Sequence, residues 1–281
     1  MLPELTSKTF SYFYFMENNY LELNRQNWNN RVAGHLTSDF YQMDAFRAGE
    51  SSLKEIELAL LGNIEGEKIL HLQCHFGQDT LSLARMGASV TGIDFSDKAI
   101  REAQNLAAEL SIDATFICCD VYNTSEHLSE KFDIVYTTYG TIGWLPDLNK
   151  WAKVIAERLM PGGKLIFVDF HPVVWMFDND FKQLAYNYFQ GSPIVEEVSS
   201  SYADKEIEIT DTTITWNHGL SEVYQALQKA GLTINHFSEY PFSPYDCLND
   251  LIEVEPNRFQ VKHLVNKIPM VYALTAHPKN P

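Results

Sequence analysis

Residues 68–96, KILHLQCHFGQDTLSLARMGASVTGIDFS, read as strand, tight turn, helix, second strand and terminal acid. Ile69 to Leu72 read as a buried strand. Gly77 lets the backbone turn closely; a helix is expected over Gln78 to Met86, and Gly87 stops it. Ser89 to Ile93 make the second strand, with Asp94 at its carboxyl end. Ligands of open parallel sheets lie beyond the carboxyl ends of the strands, against a helix N-terminus. An acid ending the second strand can accept hydrogen bonds from both hydroxyls of a ribose, so the unit predicts a nucleotide site. It is no dinucleotide fingerprint, because G-x-G-x-x-G needs three glycines and this turn has Gly77 alone.

Further along, IDATFICCDVYN (112–123) predicts a third strand ending in Asp120, and KFDIVYTTYG (131–140) a fourth ending near Thr138. LMPGGKLIFVDFHP (159–172) gives a helix end, a Pro-Gly-Gly turn and a fifth strand. Acids after strands two and three, with LMPGG before strand five, resemble the class I S-adenosylmethionine-dependent methyltransferases; the likeness spans residues 60–275 if an insertion at 171–217 is allowed. The resemblance implies a Rossmann-like α/β fold, a seven-stranded and mostly parallel sheet with helices on both faces and an antiparallel last strand beside the sixth. It implies S-adenosylmethionine as cofactor, with Asp94 on the ribose hydroxyls, Phe95 on an adenine face and Asp120 on the adenine amino group. The backbone of Val121 or Tyr122 would meet the ring, and Thr138 joins the same site. The segment Trp28-Asn29-Asn30-Arg31 is similar to tryptophan/arginine segments that fold over the donor in small-molecule members, and Tyr41 would join this lid.

The first turn departs from the family's usual D-x-G-x-G-x-G, since His71, Gln73, His75 and Gly77 stand at the aligned positions, with Cys74 among them. Gln73 and His75 must take backbone angles suited to glycine, and must turn their side chains away or use them on the donor's carboxylate. Two other readings stay open. One is a protein that binds the donor or its product, S-adenosylhomocysteine, without transfer. The other is an NAD(P)-dependent oxidoreductase, which suits Asp94 and leaves Asp120 unexplained.

The chain has 281 residues, 45% hydrophobic and 21% charged, enough to bury a large core. Its net charge of −16, from 37 acids against 21 bases, should repel phosphate backbones. Nucleic acid is therefore excluded as the expected partner, and Thr137-Thr138-Tyr139-Gly140 lacks the Asn/Asp-Pro-Pro-aromatic loop of the amino-methylating DNA enzymes. A small-molecule acceptor is expected. No run approaches the length of about 18 apolar residues that a membrane helix needs, and SYFYFM (11–16) has no signal-peptide context, so a soluble cytoplasmic protein is expected. Cys74, Cys118, Cys119 and Cys247 show no disulfide framework. His71, Cys74 and His75 are metal-ligand types whose directions diverge on a strand and turn, so no metal is expected. The sequence sets no oligomeric state.

Residues 1–60 are expected to form a helical lid, with short helices over 1–50 and a helix opened by a capping box at Ser52-Leu53-Lys54-Glu55 and stopped by Gly62. Residues 61–281 would be the methyltransferase domain. Within it, Ser96 should cap a helix over Asp97–Leu110, Leu148–Met160 should be helical, and Ser221 should cap a helix running to Ala230. Residues 171–217 change to short alternating runs, PIVEEV and IEITDTTITW, and predict an inserted substrate cap with a β-hairpin. Strands follow at Leu232–Phe237 and Met270–Ala276. Methyl transfer needs a base only when the acceptor carries a proton at neutral pH. Tyr139, His171 and His218 are the candidates, and Tyr139 and Trp144 could wall the transfer site.

Overall fold

The computed structural model describes residues 7–189, 191–203 and 210–279, with side chains from residue 19 onward. The first six residues of the expected lid, and the Ile207-Glu208-Ile209 part of the expected hairpin, lie outside the described residues. The N-terminal part comprises α1 (Ser7–Thr37), α2 (Met43–Arg47) and α3 (Glu55–Leu61). The core unit follows as β1 (Lys68–Leu72), α4 (Gln78–Arg85), β2 (Ser89–Asp94), α5 (Asp97–Leu110), β3 (Thr115–Cys118) and α6 (Thr124–His127). It continues with β4 (Phe132–Thr138), α7 (Leu148–Arg158) and β5 (Leu159–Phe170). The insertion holds β6 (Ile194–Val198) and β7 (Asp211–Thr215). Then come α8 (Leu220–Lys229), β8 (Leu232–Tyr240), β9 (Leu251–Glu255), β10 (Arg258–Val261) and β11 (Val271–Pro278).

The main sheet has seven strands in the order β3-β2-β1-β4-β5-β11-β8. β1 to β5 pair in parallel, and β11 is antiparallel to both of its neighbours. This is the expected fold class, with β11 seated between β5 and β8. One face is covered by α7 and α8, whose Trp151, Ile155, Val223 and Leu227 pack on Leu70, Val135, Phe167 and Leu274. On the other face, Leu61 of α3 and Leu83 of α4 meet Ile69, Ile134, Tyr136 and Ile166. The strands are apolar on both sides because both faces are covered. Since α3 joins this layer, it belongs to the sheet, although it falls within the segment expected as the lid.

Four local expectations are corrected. Residues 7–37 form one helix rather than short ones. Its inward face is polar, with Asn24, Asn27, Arg31 and His35 buried at helical spacing, so hydrophobic periodicity gives no signal for it. α3 starts at Glu55, and its box is the Lys54 N–H donating to Glu57 Oε1 at 2.5 Å; the Ser52 hydroxyl is instead spent on Asp79 (2.6 Å) and Ser82 (2.9 Å). α7 ends at Arg158 and the Pro-Gly-Gly lies inside β5, where an added Cβ on Gly163 would sit 2.8 Å from the Asp133 carbonyl oxygen. α8 is capped by Gly219, with Ser221 already inside the helix. Ser96 does cap α5, accepting from the Ala99 N–H at 3.1 Å.

The insertion pairs β6 and β7 antiparallel, as expected for the hairpin. α1 lies along it: the Asn24 side chain donates to the Ile214 carbonyl (2.7 Å) and accepts from the Ile214 N–H (2.9 Å). Farther along, Asn29 bonds Asp97 and Ser96 at the start of α5. The β9–β10 hairpin had no counterpart in the sequence reading. No helix among the described residues is long and apolar enough to cross a membrane.

Candidate functional site

The carboxyl ends of β1, β2, β3 and β4 open on one cavity of about 680 Å³, which α1, the 40–54 segment and the insertion also line. The turn after β1 decides its shape. Gln73, His75 and Gly77 all have left-handed backbone, with φ of 57°, 50° and 77°, so the chain keeps a glycine-type conformation at two positions that carry side chains. Gln73 sends its amide nitrogen to the Thr141 carbonyl at 2.9 Å. The His75 ring nitrogen Nε2 lies 2.8 Å from His35 Nδ1, between the rings of Trp28, Tyr41 and Phe76.

Gly77 has no such latitude. A Cβ there would come 2.6 Å from the Phe116 ring in addition to the left-handed strain. Gly77→Ala is expected to cost about 1–3 kcal/mol of stability. Urea unfolding checks it; a change under about 0.5 kcal/mol would show that the Phe116 ring yields freely.

Asp94 is buried at the end of β2, with Oδ2 accepting from the His75 N–H (2.9 Å) and Oδ1 from the Ser96 N–H (2.8 Å). Burial pushes its carboxyl up to about 6, against the pull of those N–H groups. It thus holds the turn and α5 while lining the cavity. Asp120, after β3, accepts from the Tyr122 N–H at 3.1 Å, and burial raises its carboxyl too. Trp28, Arg31, Tyr41, Cys74, Phe95, Val121, Thr138 and Tyr139 line the same cavity.

Tyr122, expected to act through its backbone, donates its N–H to Asp120 at 3.1 Å, while its hydroxyl accepts from the Asp147 N–H at 2.9 Å. Two expected site residues lie elsewhere. His171 is buried away from the cavity, its Nδ1 accepting from the Val173 N–H and its Nε2 2.8 Å from Glu239 Oε1, outside hydrogen-bonding geometry. His218 is held by the Leu145 carbonyl (2.8 Å) and Glu222 (3.0 Å). Neither ring lines the cavity. His71 bonds Thr80 at 2.8 Å and meets Tyr136 edge to face, and no group of three metal-ligand side chains occurs among the described residues.

Other residues of this region had no signal in the sequence reading. Glu57 is fully buried, its Oε2 accepting from the Tyr139 hydroxyl at 2.7 Å, and burial beside Asp79 pushes it up to about 7. Asp169 is buried at the end of β5 and accepts from the N–H groups of Gly140, Thr141, Ile142 and Phe170, pinning the loop that carries Tyr139 and Trp144. Asp169 lies inside β5, one residue before its end, and its role depends on the 140–142 loop folding over it.

Residues 69–163 match the family model described as a methyltransferase domain, the stretch that carries β1 to β4, the turn and both cavity acids. Those residues form a methyltransferase domain. Around that domain, the ubiquinone biosynthesis O-methyltransferase of Coxiella burnetii is 32% identical over 115 residues, 41% of this chain and 47% of the relative. That of Alkalilimnicola ehrlichii is 33% identical over 107 residues, 38% and 43%. The chain thus spans less than half the length of these curated relatives. Among solved structures, an S-adenosylmethionine-dependent methyltransferase from Clostridium acetobutylicum superposes with a TM-score of 0.56 at 16% identity, covering 89% of this chain and 96% of that one. The DhpI–SAH complex gives 0.55 at 17%, covering 94% and 99%. These likenesses extend the methyltransferase fold beyond residue 163.

Proposed function

We propose that the chain transfers a methyl group from S-adenosylmethionine to a hydroxyl of a small molecule. The observation that carries this reading is the convergence, on one cavity, of Asp94 and Asp120 from adjacent parallel strands with the left-handed turn 73–77. The residues fit the donor. Asp94 keeps lone pairs for ribose hydroxyls, and Asp120 and Phe95 stand where an adenine would lie. Arg31 Nε, Gln73 Oε1 and His75 Nδ1 are buried without partners, on residues that line the cavity. A carboxylate suits Arg31, and an ammonium suits the Gln73 carbonyl.

Bound there, the donor supplies a methyl group already activated by its sulfonium. The chain then has to hold the acceptor oxygen at about 3–3.5 Å and exclude water. α1 and the 171–217 insertion serve as lid and cap. Tyr139 takes the acceptor's proton while passing its own to Glu57, so the proton ends on a carboxylate outside the cavity. That route, and the O-methyltransferase activity named for the curated relatives, favour a hydroxyl acceptor. Asp79, Asp178, Glu196 and Glu197 along the cavity oppose a polyphosphate ligand. The four free thiols accord with a cytoplasmic protein.

Calorimetry with S-adenosylhomocysteine and with NADH tests the donor, and mass spectrometry of ring-hydroxylated acids incubated with S-adenosylmethionine tests transfer. Binding of NADH alone would replace the reading with the oxidoreductase one. Donor binding without any methylated product would leave a non-catalytic binder.

A further inference from the structure

The turn after β1 has lost two glycines, and the structure supplies a support for the side chains that replaced them. His35, fully buried on α1, touches two parts of the chain at once: its Nδ1 lies 2.8 Å from His75 Nε2 in the turn, and its Nε2 lies 2.6 Å from Ser201 Oγ in the insertion. Ser201 is itself buried. Helix, turn and cap are therefore joined by a chain of two hydrogen bonds.

Two proton orders satisfy that chain, and one of them leaves a donor for the cavity. In that order Ser201 Oγ, which accepts from the Ala203 N–H at 3.4 Å, gives its own proton to His35 Nε2. Burial and the nearby Arg31 cation push the His35 imidazole down to about 3 and the His75 imidazole well below its ordinary value, so both rings are neutral. A neutral His35 that accepts at Nε2 must carry its proton on Nδ1 and donate it to His75 Nε2. His75, also neutral, then carries its proton on Nδ1. That atom is buried and has no partner. Arg31, on the same helix one turn before His35, lines the cavity with its Nε likewise unpartnered.

We propose that His35 is a positioning residue of the donor site: with Ser201 it fixes the ring and tautomer of His75, so that the turn recognises the amino-acid end of the donor in the space that glycines leave open elsewhere in this fold. The proposal rests on the donor reading above and deepens it. The carboxylate of the bound nucleoside accepts the His75 Nδ1 proton beside Arg31, and the cap senses that carboxylate through Ser201 and His35. A nucleoside without the amino-acid portion makes no use of the chain.

The test compares two probes by calorimetry, S-adenosylhomocysteine and 5′-methylthioadenosine, which share the adenosine and differ in the amino-acid end. In His35→Gln and Ser201→Ala, affinity for S-adenosylhomocysteine is expected to fall about tenfold, the scale of one lost charge-assisted hydrogen bond. Affinity for 5′-methylthioadenosine should stay within about twofold. Mere damage to the cavity would weaken both probes alike. Ser201 sits at the far end of the chain, so its variant reports even where a change at the fully buried His35 prevents folding. Equal losses for the two probes, or no loss for either, would overturn the proposal while leaving the donor reading in place. Failure of the unaltered chain to bind either nucleoside would remove both.

Discussion

Replacing Asp94 by alanine is expected to weaken S-adenosylhomocysteine binding by about a hundredfold or more, with the fold retained. Two ribose hydroxyls donating to one carboxylate are worth about 1.5–3 kcal/mol each, and every 1.4 kcal/mol is about tenfold in the dissociation constant. The substitution also frees two N–H groups: that of His75 lies at the cavity, where water can replace the lost acceptor, and that of Ser96 is buried, at a cost of about 1–3 kcal/mol in stability. The pH dependence gives a second signature. The native carboxyl stands at about 6, above its ordinary value, so Asp94 favours the folded state when protonated. That contribution is full at acid pH and lost as pH rises through about 6. Ribose binding needs the opposite form, and donor affinity should fall as pH drops below about 6. In Asp94→Ala this fall should vanish. Calorimetry across pH 5–8 checks both statements, and an unchanged affinity in a folded variant would sink the ribose assignment.

What could be read from the sequence follows from which residues face apolar surroundings. β1, β2 and β4 are legible because strands covered on both faces carry mostly apolar residues, and Gly77 because a tight left-handed turn favours glycine. α1 was hidden: a helix whose buried stripe is Asn24, Asn27, Arg31 and His35 has no apolar period to read. The same stripe carries the contacts to the cap and the turn, so Asn24 and His35 were hidden with it, whereas Trp28 and Arg31 were marked by resemblance to a lid segment. His171 and His218 show the converse limit. Their positions at the carboxyl edge were legible, but ring direction is set by the Val173 N–H in one case and the Leu145 carbonyl in the other, which are tertiary facts. Glu57 sits in the charged opening of α3, and tertiary packing, with Tyr139 and the Lys54 N–H on its carboxylate, distinguishes it from the surface Glu55.

Tyr139→Phe and Glu57→Gln are expected to lower kcat for a hydroxyl acceptor by about 10²–10⁴, the range of a positioned acid or base, while leaving S-adenosylhomocysteine affinity unchanged. Tyr139 holds left-handed backbone at φ 49°, fixed by the loop that Asp169 pins, and this aims its hydroxyl at Glu57 while its side chain lines the cavity. The groups facing Glu57 set its titration. Burial and the charge of Asp79 raise it, the Tyr139 hydroxyl and the Lys54 N–H lower it, and the Tyr136 and Tyr245 hydroxyls stay protonated beside it; the balance stands at about 7. Only the ionised carboxylate can accept the relayed proton, so kcat should lose activity on the acid side with a midpoint near 7. Folding runs the other way, since a raised carboxyl stabilises the native state when protonated and that contribution is lost as pH rises through about 7. Glu57→Gln should therefore abolish the acid limb of kcat and flatten stability over the same interval. Tyr139→Phe should lower kcat while keeping the ionisable Glu57. The decisive comparison is the pH profile of kcat in the two variants: an acid limb that persists in Glu57→Gln assigns the titration to another group and removes the carboxylate from the relay.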